Sequence, residues 1–187
     1  MANAILKGLA DKKNAGVREA SCDLLQILVE QGLGNAVEPF FYEKLMPTIV
    51  AETFADKEKV VREAAVQAVK SVVQVSSSWS VPIFLPILLE QIRTAGKWQV
   101  KTGSLEILNE LVVSAPEQMA RLMPDIIPTM TDAIWDTKSD VKKAARATLT
   151  TLCSLVSNKD IEKFIPALMY VGLSLPPSLL PPYATRC

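Results

Sequence analysis

The most constraining feature of this sequence is a pattern that occurs four times at a nearly constant interval. Four segments align on one valine: VREASCDLLQIL from Val17, VREAAVQAVKSV from Val61, VKTGSLEILNEL from Val100 and VKKAARATLTTL from Val141. The valines are 44, 39 and 41 residues apart. A period of roughly 20 to 50 residues is typical of proteins built by stacking one structural unit on the next.

Each segment has the apolar spacing of a helix. Apolar or small residues stand at the valine and 3, 4, 7, 8 and 11 positions later, which places them on one face of an α-helix. The third and fourth positions after the valine are always small: Ala20 and Ser21, Ala64 and Ala65, Gly103 and Ser104, Ala144 and Ala145. Small side chains let a neighbouring helix approach closely, so these segments are predicted to be tightly packed second helices of hairpins.

A second series, of prolines, marks the helix before each of these. Pro47, Pro86, Pro128 and Pro166 recur in step with the valines, and three copies carry another proline a few residues earlier. Proline is tolerated in the first turn of a helix, whereas further along it kinks the helix. First helices are therefore predicted over 37–55, 81–94, 119–135 and 161–168, with bends near Pro47 and Pro128.

Together the two series predict an all-α solenoid of about four stacked helical hairpins, of which the terminal ones are incomplete. The approximate repeats are 1–32, 36–76, 80–114 and 118–157, and another begins at 160–169. Residues 170–187 contain four prolines, which exclude an ordinary helix there. This tail is expected to be extended or disordered. The irregular ends suggest a fragment or a truncated product of a longer protein.

The composition narrows the classes of function. The chain has 187 residues with 20 basic and 20 acidic side chains, so no net charge attracts it to nucleic acid or membrane. Every apolar run ends well before the ~18 residues that a membrane span needs. Three widely spaced cysteines and no signal peptide fit a reducing compartment. The sequence predicts a soluble, cytoplasmic protein.

Catalysis is not expected. The chain has no histidine, which removes Ser-His and Cys-His nucleophile pairs and the commonest metal ligand. The string GKWQVKT at 96–102 resembles a phosphate-binding loop, but Lys101 stands where the second glycine belongs. Cys22 and Cys153 are interpreted as packing residues. We therefore expect no enzyme activity, cofactor, metal or small-molecule substrate.

The best candidates for a binding site lie in the turns between the two helices of each hairpin. Stacking superposes equivalent turns, and this would form a basic ridge with interleaved tryptophans along one edge. The candidate partner-binding residues are Lys97, Trp98, Lys101, Trp135, Lys138, Lys142, Lys143 and Arg146. Lys57, Lys59 and Arg62 would extend the ridge. Such a ridge suits RNA phosphates, with tryptophan available for stacking on bases.

A purely structural interpretation competes with this one. An Asp in the turn can pair with the basic residue that opens a second helix, in its own or an adjacent repeat, and we favour this role for Arg18, Arg62 and Lys142. Lys138, Lys143 and Arg146 are better candidates for binding, because the repeat does not require them. For the tryptophans of the two ridge turns, core packing and partner contact both remain open. Trp79 is expected to anchor a loop.

The order of these residues resembles the HEAT repeat, an armadillo-like helical hairpin. Proline in the first helix, Asp in the turn, and Val with a basic residue opening the second helix are met by Pro47, Asp56, Val61 and Arg62. The fourth copy has Pro128, Asp136, Val141 and Lys142, and the first supplies Asp11, Val17 and Arg18. The third copy departs from the pattern, with Ala95 and Gly96 where the Asp is expected.

A narrower resemblance rests on longer strings. VEPFFYEKLMPTI, GKWQVK, AIWDTKSDVKKAA and NKDIEKFIPALM are similar to the N-terminal HEAT domain of the fungal-type translation elongation factor three family. That family, as the resemblance implies, binds the ribosome near the exit site and uses two ATP-binding cassettes to release spent tRNA. No cassette motif is present in this sequence. The resemblance implies a non-catalytic segment that binds ribosomal RNA and ribosomal proteins.

Two alternatives of other classes remain open. One is a tubulin-binding array of the TOG type, which also places Trp and Lys in the turns of HEAT repeats. The other is a general HEAT scaffold or adaptor, of the kind found in transport or in the ribosome-associated activator of the starvation kinase. Both would share the fold and differ in the partner.

Overall fold

The computed structural model describes residues 2–33 and 40–155, and this part of the chain is all-α. It contains nine α-helices: α1 Ala2–Leu9, α2 Ala15–Leu28, α3 Met46–Ala51, α4 Lys59–Val75, α5 Val81–Thr94, α6 Trp98–Ser114, α7 Pro116–Arg121, α8 Met123–Ile134 and α9 Ser139–Ser154. They form four hairpins in chain order. The predicted α-solenoid is confirmed.

The hairpins stack through their second helices. In this layer α2 packs against α4, α4 against α6, and α6 against α9, while α3, α5 and α8 form the layer of first helices. Buried side chains from both layers make one continuous core. Within it the rings of Phe41, Tyr42 and Phe84 lie 5.0 to 5.8 Å apart and join the second hairpin to the third. Such tilted and edge-to-face contacts stabilise a core beyond the area they bury.

The small residues allow the close approach that their pattern predicts. Ser21, Ala65, Ser104 and Ala145 are buried. On α9 the Thr148 hydroxyl donates to the backbone carbonyl of Leu105 on α6, at 3.2 Å. A side-chain hydroxyl can reach a carbonyl of the neighbouring helix in this way only when the two helices nearly touch.

The first helices depart from the predicted ranges at their prolines. Residues 81–94 form one helix, as predicted. Instead of one helix over 37–55, the described part has a π-helical turn, Phe41–Leu45, then α3, then a 3-10 turn, Thr53–Ala55. An α-helix through Pro47 would press its ring against the carbonyl four residues earlier. The wider turn, in which the Met46 N–H donates to the Phe41 carbonyl, relieves that clash.

The fourth hairpin shows the same effect at a different proline. The predicted helix over 119–135 is two helices, α7 and α8, which meet at Leu122. Pro124 lies in the first turn of α8, where its missing N–H costs no hydrogen bond. The helix then continues through Pro128, so the interruption lies earlier than the predicted bend. The prediction for 161–168, the repeat starting at 160–169 and the tail at 170–187 lie outside the described residues.

The predicted role of Trp79 is wrong. Trp79 is 83% exposed in a 3-10 turn, Ser78–Ser80, and within the described residues it has no hydrogen bond or ring contact. The loop is held by small polar groups instead: the Ser80 hydroxyl donates to the Ser77 carbonyl at 2.7 Å, and the Tyr42 hydroxyl donates to Ser76 Oγ at 2.8 Å. Serine hydroxyls can satisfy backbone groups in a tight turn.

The contact between Gly103 and Phe54 gives a test of the packing. A Cβ at Gly103 would lie 2.8 Å from the buried ring of Phe54. In a helix interior Gly→Ala is normally stabilising by about 1 kcal/mol, but here overpacking should make Gly103→Ala destabilising by about 1–3 kcal/mol. Urea unfolding measures the difference.

Gly96→Ala is the matched control, because nothing lies within 4 Å of a Cβ there. It should change the free energy of unfolding by less than about 0.5 kcal/mol. If Gly103→Ala is as neutral as the control, the close packing of Phe54 on α6 is contradicted.

Candidate functional site

The turns between first and second helices share one geometry, and together they form one edge of the solenoid. This turn edge consists of residues 11–14, 56–59, 95–98 and 135–139. The residue before the second helix is extended in all four turns, at Asn14, Glu58, Lys97 and Lys138. Where the turn has an Asp, its Oδ1 accepts a backbone N–H further along the turn: from Lys13 and Asn14 for Asp11, from Glu58 for Asp56 and from Lys138 for Asp136.

The turn carboxylates also bind the preceding hairpin. Arg18 donates from Nε and Nη2 to the two carboxylate oxygens of Asp56, at 2.6 and 2.9 Å. Lys101 Nζ donates to Asp136 Oδ2 at 2.8 Å. We call these links between successive hairpins the aspartate ladder. The predicted ladder role of Arg18 is confirmed, and Lys101 joins it although it was a candidate for partner binding.

The environment of these pairs makes them stronger than surface ion pairs. The side chains of Arg18 and Asp56 are only 14% and 10% exposed, and those of Lys101 and Asp136 are 21% and 12% exposed. Burial acts to raise the pKa of Asp56 and of Asp136, but the hydrogen bonds from the basic partner and from the backbone outweigh it. The pKa of each carboxyl therefore lies below its ordinary value, and both stay ionised near neutral pH.

The two tryptophans of the turn edge have different surroundings. Trp98 begins α6, is half-buried and packs against the core. Trp135 directly follows α8 and is 58% exposed. Of the two, Trp135 is thus the more exposed, and its contact with a partner stays a prediction.

The basic candidates also separate into two groups. Lys138 and Lys143 are exposed, and neither ammonium has a hydrogen-bond partner within 2–33 and 40–155. Lys142 is half-buried, with no ladder contact among those residues. Lys97 is exposed, but its Nζ donates to the Ala55 carbonyl at 2.9 Å. Around the fourth turn the exposed ammonium groups are therefore those of Lys138, three residues after Trp135, and of Lys143 in α9. Lys57 in the second turn is exposed as well.

Arg146 does not belong with these lysines. Its place five residues after the repeat valine is taken by Cys22, Val66 and Leu105 in the earlier hairpins, and Cys22 and Leu105 are fully buried there. Arg146 is half-buried, and its Nε is buried without a hydrogen-bond partner in the described part of the chain. It lies on the face that packs against a neighbouring hairpin in the earlier copies, and not on the exposed turn edge.

Two further lysines belong to the turn edge. Lys12 and Lys13 follow Asp11 in the first turn, and both are exposed. The sequence could have indicated these two lysines. Asp11 is the turn aspartate of the first hairpin, as Asp56 and Asp136 are in theirs, and the residues that follow each of these aspartates belong to the turn edge.

The thiols, the acidic groups and the helices bear on whether other kinds of site are present. Burial raises the pKa of the Cys22 thiol to about 12 and also raises that of Cys153, so both thiols stay protonated as packing residues. Within the described residues no group of His, Cys, Asp and Glu could hold a metal ion. None of the described helices is long and apolar enough to span a membrane. The string at 96–102 forms a turn and the first residues of α6.

Stacked hairpins linked through turn carboxylates define an α-solenoid of the HEAT class. The family described as EF3 N-terminal HEAT repeat matches residues 1–149. Elongation factor 3 of Mycosarcoma maydis is 57% identical over 165 residues, which is 88% of this chain and 15% of that protein. Elongation factor 3 of Gonapodya prolifera is 35% identical over 167 residues, 89% of this chain and 15% of that protein.

The chain belongs to the elongation factor 3 N-terminal HEAT repeat family. It spans about 15% of the length of the curated relatives named above. The crystal structure of an engineered protein resembles it with a TM-score of 0.54 at 14% identity, covering 89% of this chain and 67% of that one. This last likeness concerns the fold alone.

Asp56→Asn tests the aspartate ladder. Asparagine keeps an oxygen for the Glu58 N–H but removes the charge that binds Arg18, so at pH 7 the variant should lose about 2 kcal/mol of stability. The pKa of Asp56 is lowered in the folded state. The stabilisation is therefore present above pH ~4, the ordinary range of an Asp, and is lost as the pH falls through the lower folded pKa.

Urea unfolding at pH 7 and at pH ~2 measures this, and the two proteins should converge at the acid end. Glu63→Gln is the control, because the Lys59–Glu63 pair is 76% and 62% exposed. It should cost less than about 0.5 kcal/mol. Equal losses in the two variants would contradict a structural role for the ladder.

Proposed function

We propose that this chain is a ribosome-binding segment of an elongation factor 3-type translation factor and that the exposed part of its turn edge makes the contact. Family membership supports the assignment to translation elongation. The relatives are named elongation factor 3, and the chain corresponds to their N-terminal HEAT segment. A cytoplasmic location follows from this proposal, and so does a role in binding instead of catalysis.

The observation that carries the proposed contact is the cluster of Trp135, Lys138 and Lys143. An exposed indole lies in the same turn as an exposed lysine, and the next exposed lysine follows on the first turns of α9. Lysines neutralise phosphates and release counterions, and an aromatic ring can stack on an unpaired base. Ribosomal RNA presents both groups, so it fits this cluster better than a purely acidic protein surface does.

The ladder limits which other candidates contribute. Lys101 is held by Asp136, Trp98 packs against the core, and Arg146 lies on the inter-hairpin face. We therefore assign them to the scaffold and not to the contact. Lys12 and Lys13 lie on the same edge and extend the basic surface towards the first hairpin.

Co-sedimentation with ribosomes of Mycosarcoma maydis at several salt concentrations tests the contact. The double variant Lys138→Glu/Lys143→Glu should pellet at least about tenfold more weakly, because two phosphate contacts become repulsive. The slope of log affinity against log salt should decrease by roughly 1 to 2. Circular dichroism should remain unchanged, because both side chains are exposed.

Lys44→Glu/Arg121→Glu is the matched control. It reverses two exposed charges that precede the first helices and lie away from the turn edge. It should pellet like the wild type. Equal pelleting of the two double variants, or no pelleting of the wild type, contradicts the proposal. Retention of the wild type on microtubules instead of ribosomes would favour the tubulin-binding alternative.

A further inference from the structure

The aspartate ladder is interrupted between the second and third hairpins. Ala95 stands five residues before Val100, in the place that Asp56 and Asp136 occupy before their valines. Its backbone has φ −60° and ψ 126°, close to φ −57° and ψ 150° at Asp56. The third turn therefore keeps the backbone conformation of the second and lacks only the carboxylate.

Arg62 is the basic residue that would pair with a carboxylate at position 95, and only its Nη1 atom makes hydrogen bonds within the described residues. Arg62 Nη1 donates to the carbonyls of Asp56 and Lys57 at 2.7 and 2.9 Å. Arg18 is fixed in the same manner, by Nη1 donating to the Asp11 carbonyl at 2.9 Å, and it then uses Nε and Nη2 for the carboxylate of Asp56. In Arg62 the Nε and Nη2 edge has no hydrogen-bond partner within the described residues.

A second cation lies at the same turn. Lys97 Nζ donates to the Ala55 carbonyl at 2.9 Å. Three consecutive carbonyls, at residues 55, 56 and 57, thus each accept a hydrogen bond from Lys97 or Arg62. The carboxylate of Asp56 is already held by Arg18. Lys97 and Arg62 therefore both bind the backbone of the second turn, and within the described residues neither has a carboxylate partner.

Arg62 is one of the residues that line a groove between α4 and α6. The groove has a volume of about 380 Å³, and Phe54, Val66 and Trp98 give it an apolar lining, with Gln67 and Gln99 as neutral polar groups. A peptide side chain with its flanking backbone fits such a mixed lining.

Two acidic residues at the groove favour a single acidic side chain over a polyphosphate as the ligand. Glu63 and Glu106 also border the groove, paired with Lys59 and Lys70 respectively, at 3.2 Å in both cases. A chain of phosphates would meet these carboxylates repeatedly, whereas a single acidic side chain can reach Arg62 between them. In the two complete links, the group bound at the equivalent place is an Asp carboxylate. A planar guanidinium edge binds a carboxylate through two parallel hydrogen bonds.

We propose that the groove between α4 and α6 binds an acidic side chain, Asp or Glu, of a partner protein, whose carboxylate takes the place left vacant by Ala95 opposite Arg62. The partner thereby completes the aspartate ladder from outside. This site uses other residues than the Trp135, Lys138 and Lys143 surface, and it does not depend on ribosome binding.

The sharpest test is to introduce the missing carboxylate at position 95 by substitution. Ala95→Asp should place a carboxylate on Arg62 without removing any group that a partner would use. Binding is measured by fluorescence anisotropy, with a labelled decapeptide that carries a single glutamate among neutral residues and with labelled decauridylate as a polyanion. The wild type should bind the peptide, and both Ala95→Asp and Arg62→Gln should weaken that binding at least about tenfold. Ala95→Asp should also raise the melting temperature, because the ladder is then continuous.

Ser77→Asp is the control for added negative charge, since Ser77 is exposed in the loop after α4, at the opposite end of that helix from the turn edge. It should change peptide affinity less than about twofold. Three outcomes overturn the proposal: no peptide binding by the wild type, unchanged peptide binding in Ala95→Asp, or decauridylate bound more tightly than the peptide and lost in Arg62→Gln. The Lys138 and Lys143 variants test the ribosome contact separately, so the two proposals can fail independently.

Discussion

In the second and fourth hairpins the carboxylate of the turn performs two structural tasks at once. One oxygen of Asp56 accepts a backbone N–H within its own turn, and both oxygens bind Arg18 of the preceding hairpin. The first bond fixes the turn, and the second fixes the position of one hairpin relative to the next. Because adjacent hairpins cover the pair, it is shielded from solvent and screened less than an ion pair on the open surface.

This constraint determines which charges are available for binding. A basic residue that opens a second helix is used by the next turn wherever that turn has an aspartate, as for Arg18 and Lys101. Lys138 and Lys143 do not take part in the ladder among the described residues, and both are exposed, as is Trp135. Where the aspartate is missing, at Ala95, one edge of Arg62 is left open. Whether a basic side chain pairs with a turn aspartate therefore decides both proposals, the ribosome contact and the carboxylate site.

Much of the fold could be predicted because helical periodicity depends on local spacing. The repeat valine and the small residues after it indicated all four second helices, and 81–94 was predicted to the residue. The first helices at Pro47 and Pro124 were harder, since a proline can end a helix, widen its turn or pass through it, and tertiary packing selects among these. At Pro128 the helix continues, although the residue alone suggested a bend.

The candidate site was less predictable, because exposure depends on neighbours that are distant in sequence. Trp98 begins the helix after its turn and Trp135 follows the helix before its turn; the first packs against the core and the second is 58% exposed. Arg146 looked like part of a basic cluster until its helical face was seen to be the inter-hairpin face. Trp79, in a run of serines, looked like an anchor and is instead exposed. The free edge of Arg62 follows from a missing aspartate 33 residues away.

The most direct test of this account is a double-mutant cycle on Lys101 and Asp136, the link between the third and fourth hairpins. Unfolding free energies are measured for the wild type, Lys101→Met, Asp136→Asn and the double variant at pH 7. If the turn carboxylate holds successive hairpins together, the two residues should be coupled by at least about 1 kcal/mol. Effects that add to within about 0.3 kcal/mol would show that the hairpins stack without the ladder, and would contradict the account.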